Sequence, residues 1–276
     1  MSKTKVLTSF SGKFGDILWS LATVKHISDV YKEKVDFACM PEYKSLLGLI
    51  EDQPYISKAF VVTDWACMGS PHGDQPWQPP DHVSKGYQHA YHLGYRSHPS
   101  HLLGGPNAQL IDFIANQQGL KLVDPVVPFL FTKGVYDHIK KPYVSYAFNQ
   151  MYHEEKMLFL NKLIYELQKS GQVTDLLFVD VDKFPWIMAA DVIQNSIMFI
   201  GCRSANYVIA HGLGKNILSF EPHPERNATG SMGTVFGCSY GKEFSISLAL
   251  TSNIYLAVES SVGLVLDCLI HNFVNS

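Results

Sequence analysis

Two short runs of this chain hold the residue types from which a binding site is built. The first is SGKFGD, Ser11 to Asp16, where a glycine-containing turn follows an apolar run and opens a helical pattern. A glycine-lined turn at a helix N-terminus lets backbone N–H groups approach an anion or a sugar closely. The spacing is neither the dinucleotide GxGxxG nor a Walker loop, because Lys13 precedes the second glycine, Gly15, and no GK[ST] ends it. The plainer reading stands beside it: Gly12 and Gly15 shape a tight turn and Asp16 caps the helix.

The second run is FIGCRSANYVIAHGLGKNILSFEPHPERN, Phe199 to Asn227. An apolar strand pattern ends in the polar turn Arg203, Ser204, Ala205 and Asn206, a helix follows, and GLGK leads into another strand and a loop holding His223 and Arg226. A guanidinium suits bidentate contact with phosphate, which makes Arg203 a candidate anion ligand. The plainer reading is an ordinary connection with Gly214 as a C-cap and Arg203 in solvent.

Between these runs lies a third candidate, the His- and aromatic-rich stretch from Asp64 to about Pro106. Its histidines, His72, His82, His89, His92, His98 and His101, have spacings that invite a zinc reading. No HExxH and no Cys/His pairing supports one, so no metal is assigned. The stretch reads as a long loop, which in a compact domain is usually functional or mobile.

Elements of alternating type must position these runs. In the first half strands are expected at Lys5 to Phe10, Val35 to Met40 and Ala59 to Val62. Helices are expected after Gly15, at Tyr43 to Ile50 and at Ala108 to Gln118, the last closed by Gly119. The second half repeats this order. Its strands are read at Tyr143 to Phe148, Leu176 to Val181, Ile197 to Ile200 and Ile217 to Phe220, and its helices at Glu154 to Lys169, Pro185 to Gln194 and Tyr207 to Leu213. Such alternation predicts α/β architecture with parallel sheets, here two Rossmann-like domains of residues 1–137 and 138–276, with four strands in the second. The apolar stretch from Phe244 to Phe273 is ambiguous between strand and helix.

Composition sets the outer bounds. Of 276 residues 46% are apolar, enough for real cores, and 17% are charged with a formal net charge of −3, so no basic stripe indicates nucleic acid. The five cysteines are scattered singly, which fits a reduced, cytoplasmic setting, and no apolar run reaches the roughly 20 residues of a membrane span.

The stretch FPWIMAADVIQNSIMFIGCRSANYVIAHGLGKNILSFEPHP resembles the donor-binding region of the ADP-heptose:lipopolysaccharide heptosyltransferases. There a proline-led helix, a strand, a D-T-G-x-x-H turn, an LGKP helix end and a G-P-T-x-P loop follow in that order. FSGKFGDILWSLATVKHISD is similar to that family's opening S-x-x-GD segment, and the two matches fall in the right halves in the right order. The resemblance implies a GT-B fold, two Rossmann-like domains facing across a cleft. It implies an inverting, metal-independent transfer from a nucleotide-diphosphate sugar, which is a co-substrate, with no cofactor.

Residue by residue, the resemblance makes Asp16 the general base that deprotonates the acceptor hydroxyl, a role for which a carboxylate is suited. It places the donor nucleotide sugar against Lys13, Gly15, Asn149, Arg203, Ser204, Ala205, Asn206 and His223. The acceptor, a glycan or other hydroxyl-bearing molecule, falls against Ser11, Gly12, Tyr95 and Arg96, with Trp65, Trp77, Tyr87 and Tyr91 offering faces for a sugar. A flap packed by its own aromatics is the alternative for that stretch. Of the D-T-G turn only the hydroxyl is kept, as Ser204, while Arg203, Ala205 and Val208 replace the acid, the glycine and the histidine. The rival readings are an enzyme of another class with paired α/β halves, such as a sugar-nucleotide epimerase, and a non-catalytic nucleotide- or glycan-binding protein of the same fold.

Overall fold

Val6–Phe10 forms the first strand, β1, and all five of its residues are buried, as expected of an inner strand covered on both faces. The computed structural model describes residues 5–65, 78–93, 114–115, 118–121, 128–136, 138–148, 153–170, 176–202, 204–220, 243–246, 262–263 and 266, with the backbone alone at 153–156, 219–220 and 243–246. The chain divides into two compact units, Met1–Lys133 with Gly230–Cys238, and Gly134–Thr229 with Ser239–Ser276.

In the first unit β1 leads into helix α1 (Phe14–Tyr31), then β2 (Val35–Cys39), a short helix α2 (Leu47–Glu51), β3 (Ile56–Val61) and β4 (His89–His92). The four strands are parallel in the order β3-β2-β1-β4. Ile17, Leu18, Leu21 and Val24 of α1 are fully buried, as are Phe10 and Phe37 of the sheet. Each such side chain contributes about 1.5–3 kcal/mol by leaving water. A second cluster joins Leu7, Ala38, Met40, Val62 and Trp65. Gly119 has φ +68 and the Leu120 N–H donates to the Ala115 carbonyl, the helix ending expected there.

Two expectations are corrected here. Tyr43 to Ile50 is not one helix: Pro41–Leu46 is a 3-10 turn with proline in its first turn, and only Leu47–Glu51 is α-helical. The stretch from Asp64 onward is not structureless, since it contains a 3-10 turn, Asp81–Ser84, and the edge strand β4. In β4 His89 and Ala90 are exposed and Tyr91 and His92 half-buried, so the strand lacks the apolar pattern that marks inner strands.

The second unit runs β5 (Tyr143–Ala147), α3 (His153–Lys169), β6 (Leu177–Asp180), α4 (Trp186–Asn195), β7 (Phe199–Cys202), α5 (Ala205–Gly212), β8 (Ile217–Phe220) and β9 (Glu243–Ile246). All its pairings are parallel, in the order β6-β5-β7-β8-β9. Four strands were expected; β9 adds a fifth in the region left ambiguous. Its core gathers Val144, Phe148, Phe159, Leu163, Ile200 and Leu218. Gly201 permits β5 and β7 to pair, because a Cβ at this position would run into the Ala147 carbonyl oxygen. Gly214, with φ +71, ends α5, and the Lys215 N–H donates to the Ala210 carbonyl.

Candidate functional site

In the first unit the chain leaves β1 toward β2 on one side, while β4 lies on the other. The crevice beyond the carboxyl ends of β1 and β4 is therefore the topological switch point at which α/β sheets bind ligands. Ser11, Gly12 and Lys13 make the turn there. Ser11 is buried and Lys13 exposed, and Lys13 is the extended N-cap residue of α1, with its carbonyl accepting from the Ile17 N–H. Gly12 has no room for a side chain, because a Cβ would collide with the Phe10 ring and meet Asp16 Cβ at 3.0 Å. The turn is thus drawn tight against β1. Gly15 and half-buried Asp16 fall in the first turn of α1, where a carboxylate is favoured by the helix dipole.

Beside this turn β1 and β4 are tied by side chains. Ser9 Oγ is 2.7 Å from His92 Nδ1, and His92 Nε2 is 3.4 Å from Ser84 Oγ. Burial pushes the His92 imidazole below its ordinary range, which favours the neutral ring. The Leu93 N–H donates to the Ser9 carbonyl, and Gln118 Nε2 donates to the His92 carbonyl. His92 was read from the sequence only as one of a scattered set, and its place opposite Ser9 is set by a strand that the sequence did not reveal.

The aromatics assigned to an acceptor are largely structural where they are described. Trp65 is 1% exposed in the core. Tyr87 donates its hydroxyl to Asp36 Oδ2 at 2.7 Å, and Tyr91 shares a 2.8 Å hydroxyl contact with Tyr31. Trp65, Tyr87 and Tyr91 thus pack on or bond to β1, β2 and α1 of the first unit, and not chiefly to aromatics of their own stretch. Trp77, Tyr95 and Arg96 lie outside the described residues.

In the second unit the switch point lies between β5 and β7. Ser204 is the extended N-cap residue of α5, and it makes no side-chain cap bond; Ala205 and Asn206 begin the helix. The unpaired N–H groups of such a first turn favour a negative or strongly polar group. Asn149, Arg203 and His223 lie outside the described residues.

The organising side chain of this edge is Asp182, which the sequence reading missed. Its Oδ2 accepts the Phe148 N–H at 3.0 Å, just past β5, and its Oδ1 accepts Asn206 Nδ2 at 2.9 Å. Asp180 Oδ1 accepts the Asp182 N–H in turn. Burial, followed by the charges of Asp180 and Asp182, holds the Tyr146 hydroxyl above its ordinary range. The signal that could have found Asp182 is an acidic pair, Asp180 and Asp182, closing the second strand of an α/β unit. Asn206 is 4% exposed, yet among the described residues neither its Oδ1 nor Ser204 Oγ has a hydrogen-bond partner. Each such orphan costs about 1–3 kcal/mol until something supplies the missing bond.

Among the described residues no three His, Cys, Asp or Glu side chains gather as a metal-binding set, and no helix is long and apolar enough to cross a membrane.

No family model matches the sequence, and no curated protein matches it. Solved structures do match. A family 9 glycosyl transferase from Veillonella parvula is similar with a TM-score of 0.57 at 9% identity, over 94% of this chain and 90% of that one. The ADP-heptose lipopolysaccharide heptosyltransferase II of E. coli is similar with a TM-score of 0.58 at 11% identity, over 98% and 99%. The E. coli heptosyltransferase WaaC, solved with ADP-2-deoxy-2-fluoro heptose, is similar with a TM-score of 0.56 at 11% identity, over 94% and 99%. Likeness at such identities is likeness of fold. The chain has the parallel-sheet α/β fold found in these heptosyltransferases.

Proposed function

We propose that the chain is a glycosyltransferase that moves a sugar from a nucleotide-diphosphate sugar to an acceptor hydroxyl. One observation carries this reading. The chain shares its fold, over nearly its whole length, with glycosyltransferases, and each of its sheets ends at its switch point in a polar turn opening a helix. That one of those similar structures holds an ADP-sugar analogue supports a nucleotide sugar as donor.

In this reading the second unit holds the donor and the first the acceptor, in the GT-B manner of two halves facing across a cleft. Asp16 takes the proton of the acceptor hydroxyl as its oxygen attacks the anomeric carbon. The bond from that carbon to the diphosphate breaks, the configuration inverts, and the nucleoside diphosphate leaves with the electron pair. The α5 N-terminal amides and Arg203 meet the charge that develops on the leaving group, so that no metal is required. The singly scattered cysteines suit a reaction in the reducing cytoplasm.

A thermal-shift comparison of ADP, GDP, UDP and CMP with the purified chain tests the donor site, because a ligand that binds only the native state raises its melting temperature. A selective shift names the base. Asp16→Asn then separates catalysis from binding: the variant keeps the shift and loses transfer. An Asp16→Asn protein that transfers sugar as the native one does would remove Asp16 as the base. Absence of a shift by any nucleotide would favour a protein that binds something else.

A further inference from the structure

We infer that Asn206 is a specificity-determining acceptor for a hydroxyl of the bound nucleotide sugar, and that Asp182 is the residue that positions it. The inference rests on the proposed function for the identity of the ligand, and on the geometry of the second unit for everything else.

The orientation of the Asn206 amide follows from hydrogen-bond chemistry. An ionised carboxylate only accepts, so the face of the amide turned toward Asp182 Oδ1, at 2.9 Å, is the NH2 face. Asp182 cannot swing away to release it, because its other oxygen is held by the Phe148 N–H at 3.0 Å and its own N–H is held by Asp180. The carbonyl oxygen of Asn206 therefore points away from Asp182. It is buried in a residue only 4% exposed, and among the described residues nothing donates to it. Ser204 Oγ, at the N-cap of the same helix, is likewise buried and unpartnered among the described residues.

An amide oxygen presented in this way selects the chemistry of its partner. Diphosphate oxygens carry no proton at neutral pH and would repel it, whereas hydroxyls donate to it. The sequence reading gave Asn206 to the donor without separating its parts. The geometry points to a sugar hydroxyl and leaves the diphosphate to the backbone N–H groups of the α5 first turn. A nucleotide sugar carries such hydroxyls in two places, the ribose and the transferred sugar, and the chemistry at Asn206 Oδ1 is the same for both.

Calorimetric titration of the full chain distinguishes them. ADP, GDP and UDP are titrated first, and the one that binds is compared with its 2′-deoxy and 3′-deoxy forms and with its glucose and heptose conjugates. If the ribose is the partner, the native protein prefers the ribonucleotide over one deoxy form by about five- to tenfold. If the transferred sugar is the partner, the native protein prefers a conjugate over the bare diphosphate by a similar factor. In either case Asn206→Ala brings the ratio close to one while pyrophosphate binding stays as it was. Asp182→Asn, in which the Asn206 amide is free to turn over, lowers the same ratio. A purely structural role would weaken every ligand alike and leave the ratio intact.

A native protein that shows neither preference overturns the inference, as does a ratio that survives in Asn206→Ala. If that variant does not fold, the ratio in Asp182→Asn decides in the same way. Nucleotide binding without any hydroxyl preference would remove this inference alone, whereas failure of every nucleotide to bind would remove it together with the proposed function.

Discussion

Ser9 Oγ lies 2.7 Å from Nδ1 of His92, and the two residues stand opposite each other in the parallel pair β1 and β4. A fully buried hydroxyl on the inner strand thus meets a half-buried imidazole on the edge strand, beside the turn that carries Asp16.

That pairing predicts how the first unit responds to acid. Burial lowers the His92 pKa in the native state, so the unfolded chain takes up the proton first as pH falls below the ordinary value of 6.5. The contribution of the neutral ring is therefore fully present above that pH and declines below it. Urea unfolding followed by tryptophan fluorescence at pH 7.5 and 5.5 should show a lower midpoint at 5.5. His92→Gln should narrow the difference, and an unchanged difference would mean that other groups set the acid sensitivity.

Lys32 predicts a gain in stability. It ends α1 in the left-handed region, φ +56, where its N–H and that of Glu33 both donate to the Ser28 carbonyl. A side chain there costs about 1–2 kcal/mol that glycine avoids, less the entropy that glycine loses on folding, about 0.5–1 kcal/mol. Lys32→Gly should raise the unfolding free energy by about 0.5 kcal/mol, and a lower midpoint would show that the Lys32 side chain itself stabilises the native state.

Asp191 predicts a loss. It is 1% exposed on α4, and its two carboxylate oxygens accept the N–H groups of Gly134 and Tyr136 at 3.1 and 3.2 Å, fixing the start of the second unit. Asparagine has one acceptor oxygen where aspartate has two, so Asp191→Asn leaves one N–H facing an NH2 group. The expected cost is about 1–3 kcal/mol in chemical denaturation. A variant as stable as the native protein would mean that water takes over the lost bond.

What the sequence made legible follows burial. Inner strands such as β1 and β7 are buried along their whole length and largely apolar, and they are legible within one or two residues because both of their faces are covered. The edge strands β4 and β9 carry His, Tyr, Glu and Ser, and were missed or left ambiguous because an edge strand needs little apolar character to be held by its backbone bonds. The same limit acts on the sites. Gly12 and Asp16 are close in sequence and were read together, whereas Asp182 and Asn206 meet only because β6 and β7 both neighbour β5. Trp65 reads as a binding face because sugars stack on aromatic rings and its stretch falls on the acceptor side of the resembled family, whereas its burial depends on Leu7 and Ala38, which are far away in sequence.

Cysteine reactivity tests the first unit locally. Burial, with Glu42 adding to it, pushes the Cys39 thiol up to about 12, and the thiolate is the reactive form. In native protein at pH 8, iodoacetamide followed by peptide mass spectrometry should leave Cys39 unmodified, and denaturant should expose it. Labelling of Cys39 at the rate of a free thiol would show that β2 opens under native conditions.

Two glycines separate a turn from a strand contact. At Gly12 an added Cβ meets the Phe10 ring, which can shift slightly although it is fully buried, so Gly12→Ala should cost about 1–3 kcal/mol. At Gly201 the obstacle is the Ala147 carbonyl oxygen, part of the backbone of the neighbouring strand, and nothing there can rotate aside. Gly201→Ala should therefore cost about 3 kcal/mol or more and separate β5 from β7 at the edge where Asp182 joins the end of β5 to α5. Urea midpoints for the two variants measure the order. A Gly201→Ala midpoint at or above that of Gly12→Ala would mean that the two strands part more readily than their pairing implies, and that the alignment of Asn206 does not depend on them.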